Sequence, residues 1–277
     1  IMPSLVGSEI DKRQDLRLNQ IRDAFLREVE RWHASHEFIS DYVELAARIG
    51  ATVVPGRSNQ AITAREGRFI VVDERTALNR SRSSGLHEVA HHLFEEAAEG
   101  ELRAQLRDLL YDAPGAAHQY EEELCDAAAA LLLMPTHVLQ QAVTAHTHSP
   151  LAALFLVEHC GASIQAAARR VVWHHDVPSF FVLLKADGTV VDSVSHGHGA
   201  AYPVGRHFML EREHPLRAAA FVSGKLEEFD AAVPFKGGSR RWILRVRACN
   251  AGNGRVLAFF NQARHLTRVD PRQPSLF

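Results

Sequence analysis

Leu86-His87-Glu88-Val89-Ala90-His91-His92-Leu93-Phe94 is the stretch whose reading decides the fold. Leu86, Val89, Ala90, Leu93 and Phe94 fall at i, i+3, i+4, i+7 and i+8, the apolar face of a buried helix. No proline interrupts it. At about 3.6 residues per turn, His87 and His91 stand one above the other, so both imidazoles reach one cation. Glu88 points roughly 100° around the axis, where it serves as a base rather than a ligand. Two neutral nitrogen ligands, a general base and an open coordination position are the parts of a zinc hydrolase.

A third ligand is needed, and Glu122-Glu123-Leu124-Cys125-Asp126-Ala127-Ala128-Ala129-Ala130-Leu131-Leu132-Leu133-Met134-Pro135 supplies candidates. Alanine and leucine predict a buried helix with an acidic first turn, ending near Pro135. Glu122 and Asp126 are four apart and share a face. Glu122 would complete a His2Glu site, and Asp126 would accept the Nδ1 proton of a liganding histidine. Spacing alone leaves Glu122 level with its neighbours Glu121 and Glu123.

The pair HEVAHHLF and ExxxD…LLLMP resembles the ImmA/IrrE metallopeptidases, in which a glutamate stands thirteen residues before the proline of LLMP. Counting back from Pro135 reaches Glu122. The resemblance implies His87, His91 and Glu122 as metal ligands, Glu88 as general base, and Asp126 at a position the family fills with Asn or Asp. Arg68 to Asp73 is similar to the strand before the motif helix. Ala128 departs from a phenylalanine common in the family, a matter of packing. The likeness covers about residues 38 to 135.

With 277 residues the chain has room for two domains or one plus a module. Its net charge of −2 argues against general polyanion affinity. The longest apolar run, Ala127 to Pro135, is too short to span a bilayer, and no signal-peptide pattern opens the sequence. Cys125, Cys160 and Cys249 are well separated in apolar contexts, as in a reduced cytoplasmic protein. A cytoplasmic location is the expectation.

Leu18, Ile21, Phe25, Val29 and Trp32 predict a helix over about 10–34, and a second runs over about 38–49 to Gly50. Residues 51–54, 61–65 and 68–72 read as strands, the last two joined by a Glu66-Gly67 turn. This α-β-β-β-α order suits a small gluzincin-like core in which an edge strand near the metal binds an extended peptide. Residues 99–118 read as a polar, partly helical link.

After Pro135 come two short helices, 151–160 and a second opening at Ser163, with Gly161 between them. That is the outline of a helix-turn-helix, though Arg169 and Arg170 with Glu158 fall short of a basic stripe. Beyond Trp173 the period shifts to two: Phe180 to Val191 reads as a hairpin, and Trp242–Val246 with Val256–Phe260 as another. His214-Pro215 opens a short helix. Its order resembles the GAF-like last domain of the IrrE/PprI proteins of Deinococcus, including His-Pro before alanines and the stretch Val233 to Gly237. The expected organisation is therefore an α+β multidomain chain: a peptidase-like domain at 1–134, a helix-turn-helix-like segment at 135–176 and a GAF-like sensor domain at 177–277. His214 is a candidate sensor-site residue, with helix-start packing as the alternative. His174-His175 and His196-Gly197-His198 read as surface or interdomain histidines.

The chemistry expected is that of a site-specific zinc endopeptidase. Zinc follows from the His2Glu set, with manganese or iron open. Oxyanion donors would come from Tyr111, Tyr120 or His92. The resemblance implies a protein substrate, a helix-turn-helix repressor of the DdrO type cleaved after radiation or desiccation. The alternative is a DNA-binding regulator acting through residues 135–175, with a structural metal; no membrane partner is expected.

Overall fold

Ile21, Phe25 and Val29 are buried along one face of α1 (Glu9–Ser35), the helix their spacing predicts. The computed structural model describes residues 9–75, 78–174, 179–196, 204–218, 225–233, 241–261 and 267–269. It is an α+β chain that divides into two compact units, Ile1–Pro135 and Thr136–Phe277.

In the first unit Asp41 caps α2 (Tyr42–Arg48), its carboxylate accepting from the backbone N–H groups of Val43 and Glu44. Three strands follow: β1 (Ala51–Gly56), β2 (Gln60–Ala64) and β3 (Gly67–Asp73). β3 lies centrally, parallel to β1 and antiparallel to β2, which leaves β2 as an edge. Then α3 (Leu78–Glu96) ends in a 3-10 turn, Ala97–Gly100. Ala98, Glu99 and Gly100 there adopt left-handed backbone, with φ of 48°, 57° and 87°. Glu28 of α1 holds this reversal by accepting the Ala98 N–H. It launches α4 (Glu101–Leu109), which precedes α5 (Pro114–Leu133). The acidic cluster is thus not a first turn. Pro114 begins the helix about two turns earlier, because its fixed φ suits the first helical position. α3 packs on α5 and β3, and α1 covers α5 and α4.

The second unit opens with α6 (Thr136–His146), α7 (Pro150–Cys160) and α8 (Ile164–Trp173). Gly161 closes α7 in left-handed conformation, and the Ser163 hydroxyl caps α8 by accepting the Ala166 N–H. Next come β4 (Ser179–Lys185), β5 (Val190–His196), the short α9 (Pro215–Ala218), β6 (Glu227–Ala232), β7 (Arg241–Asn250), β8 (Arg255–Asn261) and β9 (Thr267–Val269). Among the described residues these strands form one antiparallel sheet in the order β5-β4-β8-β7-β6, with β9 also on β7. Phe180, Val182, Leu184, Val246, Ala248, Ala258 and Phe260 face a core shared with Val204, Leu210 and Leu216. On the other face, where α7 and α8 pack, Phe181, Leu183, Cys249, Leu257 and Phe259 are buried. Burial of both faces explains the unbroken apolar run of β4.

Candidate metal centre

The buried face of α3 is Leu86, Val89, Ala90, Leu93 and Phe94. Pressing it onto β3 and α5 turns His87 and His91 toward a cleft, each side chain about one-sixth exposed (17%). On α5, Leu124, Cys125, Ala128, Ala129, Leu131 and Leu132 are buried, which turns Glu122 and Asp126 to meet them.

His91 Nε2 lies 3.1 Å from His87 Nε2, and the Glu122 carboxylate lies 3.2 Å from His87 Nε2 and 3.3 Å from His91 Nε2. His87 Nδ1 is 2.9 Å from Asp126 Oδ1. An ionised carboxylate only accepts, so the His87 proton sits on Nδ1 and its Nε2 is a bare lone pair. That lone pair faces another imidazole nitrogen and a carboxylate oxygen. With His91 Nε2 unprotonated as well, three acceptors would converge here and repel unless a cation lay among them. Donors about 2.0–2.1 Å from a tetrahedral ion stand roughly 3.3–3.4 Å apart, so the three separations fit a zinc-sized ion. His87, His91 and Glu122 form the candidate metal cluster among the described residues.

The cleft holds about 1090 Å³, and β2 residues Gln60, Ala61 and Thr63 border it. Glu88 lines it while 6% exposed. Burial raises the Glu88 pKa above the usual carboxylate range; His87, His91 and the backbone N–H of Ala61 pull the other way without cancelling it. For His87, burial opposes the charged form, but the hydrogen bond and charge of Asp126 outweigh it, assisted by Glu88 and Glu122, and the pKa is raised.

Residues 46–172 match the IrrE N-terminal-like domain, peptidase family M78. The match covers a little under half of the chain, and over those residues the chain is similar to the ImmA/IrrE family. A Mycobacterium tuberculosis transcriptional regulator is similar in fold, with a TM-score of 0.51 and 11% identity over 92% of this chain and 81% of that one. Among curated proteins no sequence matches significantly.

Within the IrrE-like domain the structure separates the three candidate oxyanion donors. Tyr120 donates to the Leu18 carbonyl at 2.8 Å, and burial pushes its pKa up to about 12. His92, 1% exposed, contacts the Phe69 carbonyl at 3.2 Å. Tyr111 lines the cleft and is 81% exposed. The cleft also holds residues that sequence patterns did not single out: His118, 3.8 Å from Glu122, and Arg103, which ion-pairs with Glu121 at 2.8 Å. Glu121 had counted only as a rival to Glu122. Its carboxylate is buried on the far side of His91.

Outside the IrrE-like site, His214 is spent in packing: Nε2 donates to the Ala232 carbonyl at 2.9 Å and Nδ1 accepts the Leu216 N–H at 3.2 Å. Burial lowers its pKa. In the helix-turn-helix outline, Arg169 pairs with Asp192 of β5 at 2.7 Å, and Arg170 donates to the Thr136 hydroxyl at 3.2 Å. Both candidate DNA-contacting arginines therefore already have partners within the second unit. His175, residues 197–198, Ala219, Ala220 and 234–237 lie outside the described residues. No described helix is long and apolar enough to cross a membrane.

Proposed function

We infer that this protein is a zinc-dependent endopeptidase that cuts a helix-turn-helix transcriptional repressor of the DdrO type, similar in role to the IrrE/PprI proteins. The observation that carries the reading is the convergence of His87 Nε2, His91 Nε2 and the Glu122 carboxylate, in a cleft where Glu88 is buried beside them. His87, His91 and Glu122 would hold the zinc, which would supply Lewis acidity to a water and to the scissile carbonyl. Asp126 fixes the His87 tautomer. Glu88, its proton affinity raised by burial, takes a proton from the water and returns it to the departing amine.

The substrate lies as an added strand on the free edge of β2, whose Gln60, Ala61 and Thr63 border the cleft. In this reading residues 1–134 are a gluzincin-like peptidase, 135–176 a helix-turn-helix-like segment that braces the second unit, and 177–277 a GAF-like sensor. The commitments of Arg169 and Arg170 favour bracing over DNA recognition. The fold neighbour from Mycobacterium tuberculosis is a transcriptional regulator, which supports a place in gene control.

Purified protein incubated with the small helix-turn-helix repressors of its genome should cut one of them, and a chelator should stop it. Glu88→Gln should keep the metal and lose about 10²–10⁴-fold in rate. Undiminished cleavage by that variant sinks the assignment.

A further inference from the structure

We propose that Glu121 and Arg103 together form a positioning pair for His91, holding it for the metal as Asp126 holds His87. The inference rests on the metallopeptidase reading of the site. His91 Nδ1 lies 3.5 Å from Glu121 Oε1, on the side of the ring away from His87 and Glu122. Glu121 is 8% exposed, and a carboxylate is not retained there without partners.

Arg103 supplies them. Its Nη2 donates to Oε1 at 2.8 Å and its Nε to Oε2 at 3.4 Å, a two-point grip that fixes the plane of the carboxylate. The third guanidinium nitrogen, Nη1, lies 3.7 Å from Glu95 Oε1. Glu95 in turn accepts the Thr63 hydroxyl of β2 at 2.7 Å. Arg103 is thereby held from two directions and cannot swing away without breaking both contacts.

The consequence for His91 is a choice of tautomer. With Oε1 beside Nδ1, the ring keeps its proton on that side and presents Nε2 bare toward the cluster. Both liganding histidines then have the same arrangement, a carboxylate behind and a lone pair in front. They differ in setting. Asp126 is mostly exposed, at 79% of its side chain, whereas Glu121 is buried and clamped. Glu121 and Arg103 therefore fix the more rigid of the two ligands.

The test uses the full chain and Zn²⁺ alone, with affinity read by competition against a chromogenic chelator. Co²⁺-loaded protein reports ligand geometry through its visible absorption bands. Glu121→Ala should weaken zinc binding by about 10–100-fold and shift the cobalt bands. Glu121→Gln keeps an acceptor oxygen and should recover part of the loss; Arg103→Lys, which keeps charge without the two-point grip, should fall between parent and Glu121→Ala. Melting of the chelated proteins separates a structural effect, which would lower stability and leave affinity alone.

Zinc affinity of Glu121→Ala within about twofold of the parent, small against the 10–100-fold expected of such a partner, overturns the proposal. If Glu121→Ala does not fold, Arg103→Lys decides, and parental affinity and cobalt bands in that variant overturn it. A parent that binds no zinc removes this inference together with the metallopeptidase reading. A parent that binds zinc but cuts no repressor removes only the proposed substrate.

Discussion

At the scale of single residues, the site is built from imidazoles whose protons are assigned by their neighbours. His214 is the same device used for packing, donating to Ala232 and accepting from Leu216. Its pKa is lowered by burial, so the folded state prefers the neutral ring. The stability this provides is complete above the unfolded value near 6.5 and is lost as pH falls through it toward the folded value. Between about pH 7.5 and 5.5 the parent should lose melting temperature more steeply than His214→Gln, which titrates nowhere in that window. Equal slopes would show that His214 does not titrate differently on folding. The choice of Glu122 over Glu121 and Glu123 came from the resemblance alone, whereas the pairs His87–His91 and Glu122–Asp126 were legible in the sequence because i, i+4 residues on a helix share a face. Glu121 and Arg103 were not. Their meeting depends on where α4 lands, and no local rule gives that.

At the scale of elements, the left-handed turn at Ala98, Glu99 and Gly100 sets α4 in place, and two of those three residues are not glycine. A sequence reading has no signal for such a reversal. The start of α5 was missed for a related reason. Pro114-Gly115 reads as a break, while Pro114 in fact opens the helix. Gly85 is the opposite case, a glycine inside α3 that local rules would replace. Alanine normally gains about 1 kcal/mol over glycine in a helix. Here its Cβ would enter the space of the Tyr42 ring carbons, so Gly85→Ala should destabilise the fold by about 1–3 kcal/mol in chemical denaturation. A stabilised variant would mean that Tyr42 moves aside freely. In the second unit, Asp192 has a side chain 5% exposed, against 35% for Arg169. Arg169→Met should cost about 1–3 kcal/mol, less than a fully buried pair because the arginine is partly solvated and Arg206 lies 3.5 Å from the same carboxylate. Unchanged stability would release Arg169 for another role and revive DNA contact.

At the scale of the whole chain, all three candidate ligands lie in the first unit, Ile1–Pro135. Calorimetry should therefore resolve a transition that zinc raises and chelator lowers. Zinc at about a hundred times its dissociation constant should add roughly 2.7 kcal/mol to that unit. The transition of Thr136–Phe277 should stay where it is, and a zinc shift in that transition would place a ligand outside the site described. The change of pattern after Pro135 had suggested three parts, 1–134, 135–176 and 177–277, and the chain divides into two compact units at Pro135; strand order in the second sheet was not legible, since β6 (Glu227–Ala232) is half acidic and carries little strand signal. His87 and Glu122 are 35 residues apart, on helices with no other covalent tie, and Cys125, Cys160 and Cys249 are free thiols. An ion bridging them closes a loop as a disulfide would. By chain-entropy reasoning a cross-link of that span stabilises by roughly 3–4 kcal/mol. Unlike a disulfide, such a tie would open without a reductant, so loss of the bridging ion would loosen the fold and empty the site in one step.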